Sequence, residues 1–229
     1  MLNSTDNFFI LDFDRCLANE KLYDLFDKVS GEIIDIELLR QARKQVEAEA
    51  GSFDTFQWLR ETCQLSDASV LRLTSSYVMR ADQLGSQTFL ANGAKELLTY
   101  LSDSDIPHMI MTYGGHEYQE LKIRAAGLQA VPCRVVPSKE KGHYVAQWWS
   151  EEDQKFIIPT DNGDVRSSSV VLVDDKAAAF TRLPRQAVGY LVRGEGRPLK
   201  SQLGEIPANV KECAGLSGVL ADLKHRYHS

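Results

Sequence analysis

At 229 residues, with a formal net charge of −6, 43% hydrophobic and 25% charged residues, the chain has ordinary globular composition and room for one large core or a core plus a smaller unit. The acidic balance offers no basic footprint for nucleic acid or an anionic membrane, and no apolar stretch approaches the roughly 20 residues of a membrane span. Met1 to Asn7 lacks the basic and apolar regions of a secretory signal, and Cys16, Cys63, Cys133 and Cys213 lack zinc-type spacing, so a reducing, cytoplasmic setting is expected.

The first predicted element is a strand, Phe8-Phe9-Ile10-Leu11, which runs into Asp12 and Asp14. Four consecutive apolar residues suit a strand buried on both faces. From about residue 20 to 88 the pattern turns helical. Leu22, Leu25, Phe26 and Val29 share one face. Leu39, Ala42 and Val46 share another behind a cap at Asp35. After a break at Gly51-Ser52, Phe53, Phe56, Trp58 and Leu59 suggest a third helix, and Ser66-Asp67 caps a fourth through Tyr77 and Val78.

Alternation then resumes. A helix after Asn92-Gly93 leads to the strand His108 to Met111, which ends on Thr112. Tyr113-Gly114-Gly115 opens a helix at about 116–126, closed by Gly127. Val131 to Val136 reads as a strand. Residues 139–168 are ambiguous: His143 to Trp149 fits helix or strand, Phe156 to Pro159 reads as a short strand, and Thr160 to Asp164 as a loop. Val170 to Val173 is a buried strand running into Asp174-Asp175. Gln186 to Val192 is a further strand, and a last helix spans about 216–227. Strand–helix alternation predicts an α/β, Rossmann-like parallel sheet core, residues 1–19 and 89–229, with an inserted α-helical unit at 20–88.

Buried parallel strands bring their carboxyl ends to one edge, where open α/β sheets bind ligands. Asp12, Asp14, Thr112, Asp174 and Asp175 would then converge. Crowded carboxylates repel unless a hard cation or a shared proton holds them, so a metal-assisted site is expected. Taken singly, each cluster also fits a solvated turn. Asp12 and Asp14, two apart in extended chain, would point to one side. Thr112 with Tyr113 and Gly114 suits an anion at a helix start. The balancing cation is Lys139 or Lys141; Lys141 is preferred because Lys141-Gly142 can open a helix near the strand edge. Lys122 is set aside as lying inside a predicted helix. Trp148-Trp149 reads as packing and Cys16 as a small loop residue without a histidine partner.

The ordered set FFILDFDRCL at 8–17, HMIMT at 108–112, a lysine near 139–141 and VVLVDD at 170–175 resembles the haloacid dehalogenase-like superfamily of phosphotransferases, as does the segment Ala91 to Leu98. The resemblance spans nearly the whole chain and makes the 20–88 insert a helical cap domain. It implies a phosphatase in which Asp12 attacks a phosphoryl group and Asp14 serves as general acid and then base. Mg2+ would be held by Asp12, the backbone carbonyl of Asp14, Asp175 and Asp174. Thr112, Lys141, Tyr113 and Gly114 would bind a small phosphorylated substrate. Asp14 argues against dehalogenation, which in this superfamily needs neither that acid nor Mg2+. Two positions depart from the pattern: Cys16 stands where Thr or Val is usual and Arg15 where many phosphatases have Gly. The alternative is a binding or regulatory protein that keeps the fold without turnover.

Overall fold

The computed structural model describes residues 6–48, 52–193 and 206–228. Met1–Thr5 of the signal reading and Gly51 of the expected break lie outside them. In chain order the elements are β1 (Asn7–Leu11), α1 (Lys21–Ser30), α2 (Ile36–Ala48), α3 (Thr55–Glu61), α4 (Asp67–Leu84), α5 (Ala94–Asp103), β2 (His108–Tyr113), α6 (His116–Ala125), β3 (Cys133–Val136), α7 (Lys141–Gln147), β4 (Trp149–Ser150), β5 (Lys155–Thr160), β6 (Gly163–Ser167), β7 (Ser169–Asp174), β8 (Val188–Val192), β9 (Val210–Cys213) and α8 (Leu216–His228).

Six strands form one sheet in the order β3-β2-β1-β7-β8-β9, every pair parallel. The expected α/β Rossmann-like core is present. Period-two alternation sorts the central strand between two cores. Phe9 and Leu11 join α1, α4, α5, α6 and α8 on one face, whereas Phe8 and Ile10 join Met109, Met111, Val170 and Leu172 on the other. Each fully buried side chain of this kind contributes on the order of 1.5–3 kcal/mol. In register, Leu11 faces Val173 on one side and Ile110 on the other. Asp12 and Asp174 therefore leave their strands at the same level, and the Asp12 amide donates to the Val173 carbonyl at 2.9 Å.

Local chemistry explains the helix starts. Asp54 Oδ1 accepts from the amides of Phe56 and Gln57 at 3.1 and 3.0 Å, capping α3. Ser66 Oγ accepts from the Ser69 amide at 3.2 Å, capping α4. Asp35 accepts from the Glu37 amide at the start of α2. Between Lys21 and Leu84 the described residues form no strand. This helical block packs against α6, and Arg60 makes a bidentate pair with Glu117 across the junction at 3.0 and 2.9 Å. No helix of the described residues is long and apolar enough to cross a membrane.

Residues 139–168 resolve the ambiguity of the sequence. His143 to Trp149 splits into the end of α7 and the start of β4. Thr160 to Asp164 is not a free loop. It is the turn of an antiparallel hairpin, with Thr160 opposite Gly163 and Pro159 opposite Asp164. Gly163 at φ 103° supplies the left-handed turn residue. Pro159 is tolerated because β4 pairs only with Lys155 and Phe156, so the missing N–H is not needed there. Phe156 and Ile158 of this small sheet, with Val145 and Trp148, cover the second face of the main sheet. Trp149 stacks edge-on against Phe156, so both tryptophans are packing residues. Strand β9, with its outward Lys211 and Glu212, was not predicted.

Candidate active site

The carboxyl ends of β1 and β7 place Asp12, Asp174 and Asp175 together. One carboxylate oxygen from each lies within 4.8 Å of the other two. Lys141, at the first residue of α7, reaches between them: its Nζ donates to Asp12 Oδ1 and, at 2.7 Å, to Asp174 Oδ2. The Lys141 side chain is 3% exposed. Gly142 makes this approach possible. A Cβ there would lie 2.6 Å from the Thr181 carbonyl and 2.8 Å from the Leu183 amide nitrogen, so any side chain would push the helix start off the sheet edge. The Lys176 amide donates to Asp174 Oδ1 at 2.8 Å.

Burial, then the charge of Asp174, pushes Asp12 up to about 7, and burial followed by the charge of Asp12 pushes Asp175 up to about 6. Asp174 is also raised, by burial first. Burial works against the Lys141 ammonium, but Asp12 and Asp174 outweigh it and hold its pKa above the usual lysine range. Cys16 lies buried below, its Sγ 3.9 Å from the Val173 carbonyl; burial and then the neighbouring acids keep it a neutral thiol, which excludes it as a nucleophile.

A divalent cation fits this donor set. Lys141 bonds to two of the three acids, all donors are hard oxygens, and Asp12 Oδ2 and Asp175 Oδ1 are buried without a hydrogen-bond partner. The metal-free protein carries the cost of that crowding, and the sign follows from the raised values. Near the unfolded carboxylate pKa of about 3.9 and below it, the protons held by Asp12 and Asp175 favour the folded state. That contribution drains away as pH rises through about 6 to about 7. With metal chelated, denaturant unfolding of the wild type should therefore show a greater loss of stability between pH 5 and pH 7.5 than that of Asp175→Asn. Added Mg2+ should restore the wild type at pH 7.5 and act weakly on the variant. Equal pH slopes in the two proteins would contradict this electrostatic account.

Asp14 takes a different course from Asp12. The chain turns after β1, with Ala18 N–H bonded to the Phe13 carbonyl at 2.9 Å and Arg15 at φ 65°. The extended geometry that would aim both acids alike is lost. Lys122 Nζ donates to Asp14 Oδ1 at 2.5 Å, and Gln119 Nε2 donates to Asp14 Oδ2 at 2.9 Å. Lys122, set aside at the sequence level, is thus a buried cation of the site. Burial alone would raise Asp14; the charge and hydrogen bond of Lys122, with Gln119 and Tyr23, outweigh it and hold the carboxyl below its usual value. The side chain of Asp14 is not in the carboxylate triad.

Asp12, Asp14, Thr112, Tyr113, Lys139, Lys141, Asp174 and Lys176 line one small cavity of about 10 Å3, about the room one water needs. Thr112 is fully buried with its hydroxyl unpartnered. Of the two candidate lysines, Lys141 takes the carboxylates, and Lys139 sits 5.3 Å over the Tyr113 ring at the cavity wall. Gly114 is not a wall residue; at φ 146°, its missing Cβ leaves room for the Gln119 amide, 2.5 Å from where that atom would be. Arg15 is 44% exposed and pairs with Glu20 at 3.4 Å. A larger cavity of about 1140 Å3 runs along α6 to the amino ends of β2 and β3. It contains none of these acids and lies away from the strand edge at which parallel sheets place their chemistry.

No family profile and no curated protein sequence matches the chain. Solved structures do. One assigned as a haloacid dehalogenase-like hydrolase, from Burkholderia xenovorans, superposes with a TM-score of 0.64 at 23% identity, covering 95% of this chain and 98% of its own. One assigned as a β-phosphoglucomutase, from Thermotoga maritima, gives 0.53 at 15% identity, covering 96% and 99%. A dehalogenase in an intermediate complex gives 0.54 at 14%, covering 96% and 98%. The chain has the haloacid dehalogenase-like fold, and the resemblance noted in its motifs holds at that level.

Proposed function

We propose that this chain is a haloacid dehalogenase-like hydrolase acting as a Mg2+-dependent phosphatase on a small phosphorylated metabolite in the cytoplasm, with residues 20–88 as a cap over the 1–19 and 89–229 core. The observation that carries the reading is the unpartnered, buried Asp12 Oδ2, set in a carboxylate triad beside the unpartnered hydroxyl of Thr112. A free carboxylate oxygen is a nucleophile, and the hydroxyl is a donor awaiting an anion.

In this reading Asp12 attacks phosphorus, the bond to the leaving oxygen breaks, and Asp14 gives that oxygen a proton. Water then attacks the aspartyl-phosphate, Asp14 takes its proton, and the bond from Asp12 to phosphorus breaks to release phosphate. The charge of Lys122 favours ionised Asp14, the form that accepts water's proton. The proton-donating role in the first step requires a bound dianion to offset that charge. Thr112, Lys141, Tyr113 and the backbone at Gly114 hold phosphoryl oxygens. Asp12, Asp174, Asp175 and the carbonyl of Asp14 would hold Mg2+, which would supply charge neutralisation between the anionic nucleophile and an anionic substrate.

A panel of phosphate monoesters assayed for released phosphate, with Mg2+ and with chelator, tests the reading. At least one should turn over only with metal. No release from any of them would count against phosphatase function.

A further inference from the structure

Lys122 is a buried ammonium whose charge favours ionised Asp14, but that charge alone does not account for its place in the geometry of the site. Its side chain is 1% exposed. Beyond the 2.5 Å bond to Asp14 Oδ1, it donates to the Tyr23 hydroxyl of α1 at 3.2 Å. It also lies 4.6 Å over the Tyr23 ring, 4.8 Å over Tyr118 and 5.7 Å over Phe13. Tyr118 and Gln119 lie four and three residues before Lys122, so the buried side of α6 brings each of them beside Lys122, toward Asp14 and α1. Gln119 is anchored in turn, its Nε2 also donating to the Tyr113 carbonyl at 2.8 Å.

Lys122 and Gln119 thus give each Asp14 oxygen a fixed donor, and the Tyr23 hydroxyl bonds to the same carboxylate. A carboxylate offers about four lone-pair sites, so these donors leave room to take or give a proton. Two donors on two oxygens fix the plane of the carboxylate, as a single donor would not. The aromatic walls hold the ammonium in place, and breaking such a buried pair is costly.

We propose that Lys122, with Gln119 as second anchor, is the positioning residue for Asp14, and that through Tyr23 it ties that acid to the first cap helix. Lys122 acts only through Asp14 and touches neither phosphorus nor the leaving group. The inference rests on the phosphatase reading.

Leaving groups provide the test. p-Nitrophenyl phosphate expels a phenolate that needs little protonation, whereas glycerol phosphate expels an alkoxide that needs a proton. General acid catalysis contributes on the order of 10²–10⁴-fold. Lys122→Met should therefore lower kcat on glycerol phosphate by about 100-fold or more and on p-nitrophenyl phosphate by less than about 10-fold. In an Asp14→Asn background, the same substitution should cost little further on either ester. An equal loss on both esters, or a full multiplicative loss in the Asp14→Asn background, overturns the proposal. Should Lys122→Met fail to fold, Gln119→Leu must show the same selectivity, and an unselective loss there overturns it equally. Wild type inert to both esters with Mg2+ would overturn the phosphatase reading along with it. Wild-type turnover with unselective variants overturns this inference alone.

Discussion

Asp12→Asn should abolish phosphatase turnover while leaving the fold as stable as before, or more so. Asparagine has no charged oxygen to attack phosphorus, and loss of a nucleophile in a covalent mechanism costs on the order of 10⁴–10⁶-fold in kcat. Its amide oxygen can still accept from Lys141, so the buried ammonium keeps a partner. The substitution also removes one of three crowded acids; burial first, and their mutual repulsion second, raise Asp12 to about 7 and Asp175 to about 6. Stability stored against function is released when the functional group is removed. Steady-state turnover measured with Mg2+ should be lost, while denaturant unfolding of the same preparation without metal should show stability unchanged or raised. A strongly destabilised variant would mean that Asp12 is chiefly structural.

Lys141→Met should be damaging in both respects. The ammonium is nine-tenths or more buried and bonded to Asp12 and Asp174. Removing it leaves two buried acids without their cation, and breaking a buried pair costs about 3–5 kcal/mol. The loss should shrink at pH 5, where Asp12, raised to about 7 even beside Lys141, is already protonated. Turnover should fall by about 10²–10³-fold, the loss typical of deleting one donor aimed at developing charge. Chemical denaturation at pH 5 and 7.5, beside a phosphate-release assay, measures both. A variant as stable as wild type at pH 7.5 would contradict the central place given to this ammonium.

The site's acids were legible because each ends a run of buried residues. Four apolar residues before Asp12 and four before Asp174 state both the strand and its end, and parallel pairing does the rest. The helices between residues 20 and 88 were legible from Ser66, Asp35 and the apolar spacing of Leu22, Leu25, Phe26 and Val29. What escaped had physical reasons. Lys122 sits in the interior of α6, and nothing in a sequence says which face of a helix meets an acid 108 residues earlier. A signal existed in the neighbouring Tyr118 and Gln119, polar and aromatic residues on the buried side of a short helix. The hairpin at 155–167 carried Asn162-Gly163, a turn signature, but Pro159 disguised its first strand. Strand β9 lies at the sheet edge, where Lys211 and Glu212 face water and no apolar alternation survives. The choice between Lys139 and Lys141 turned on Gly142, whose bare backbone lets α7 begin against the turn at Thr181.

If Asp12 is the nucleophile, it carries the phosphoryl group covalently during turnover. Acid-quenching the wild type during turnover of a phosphate monoester with Mg2+, then digesting it and weighing the peptides, addresses this directly. The added mass of one phosphoryl group should fall on the peptide containing Asp12, and it should be absent when metal is chelated. Turnover accompanied by a phosphorylated peptide that lacks Asp12 would contradict the account.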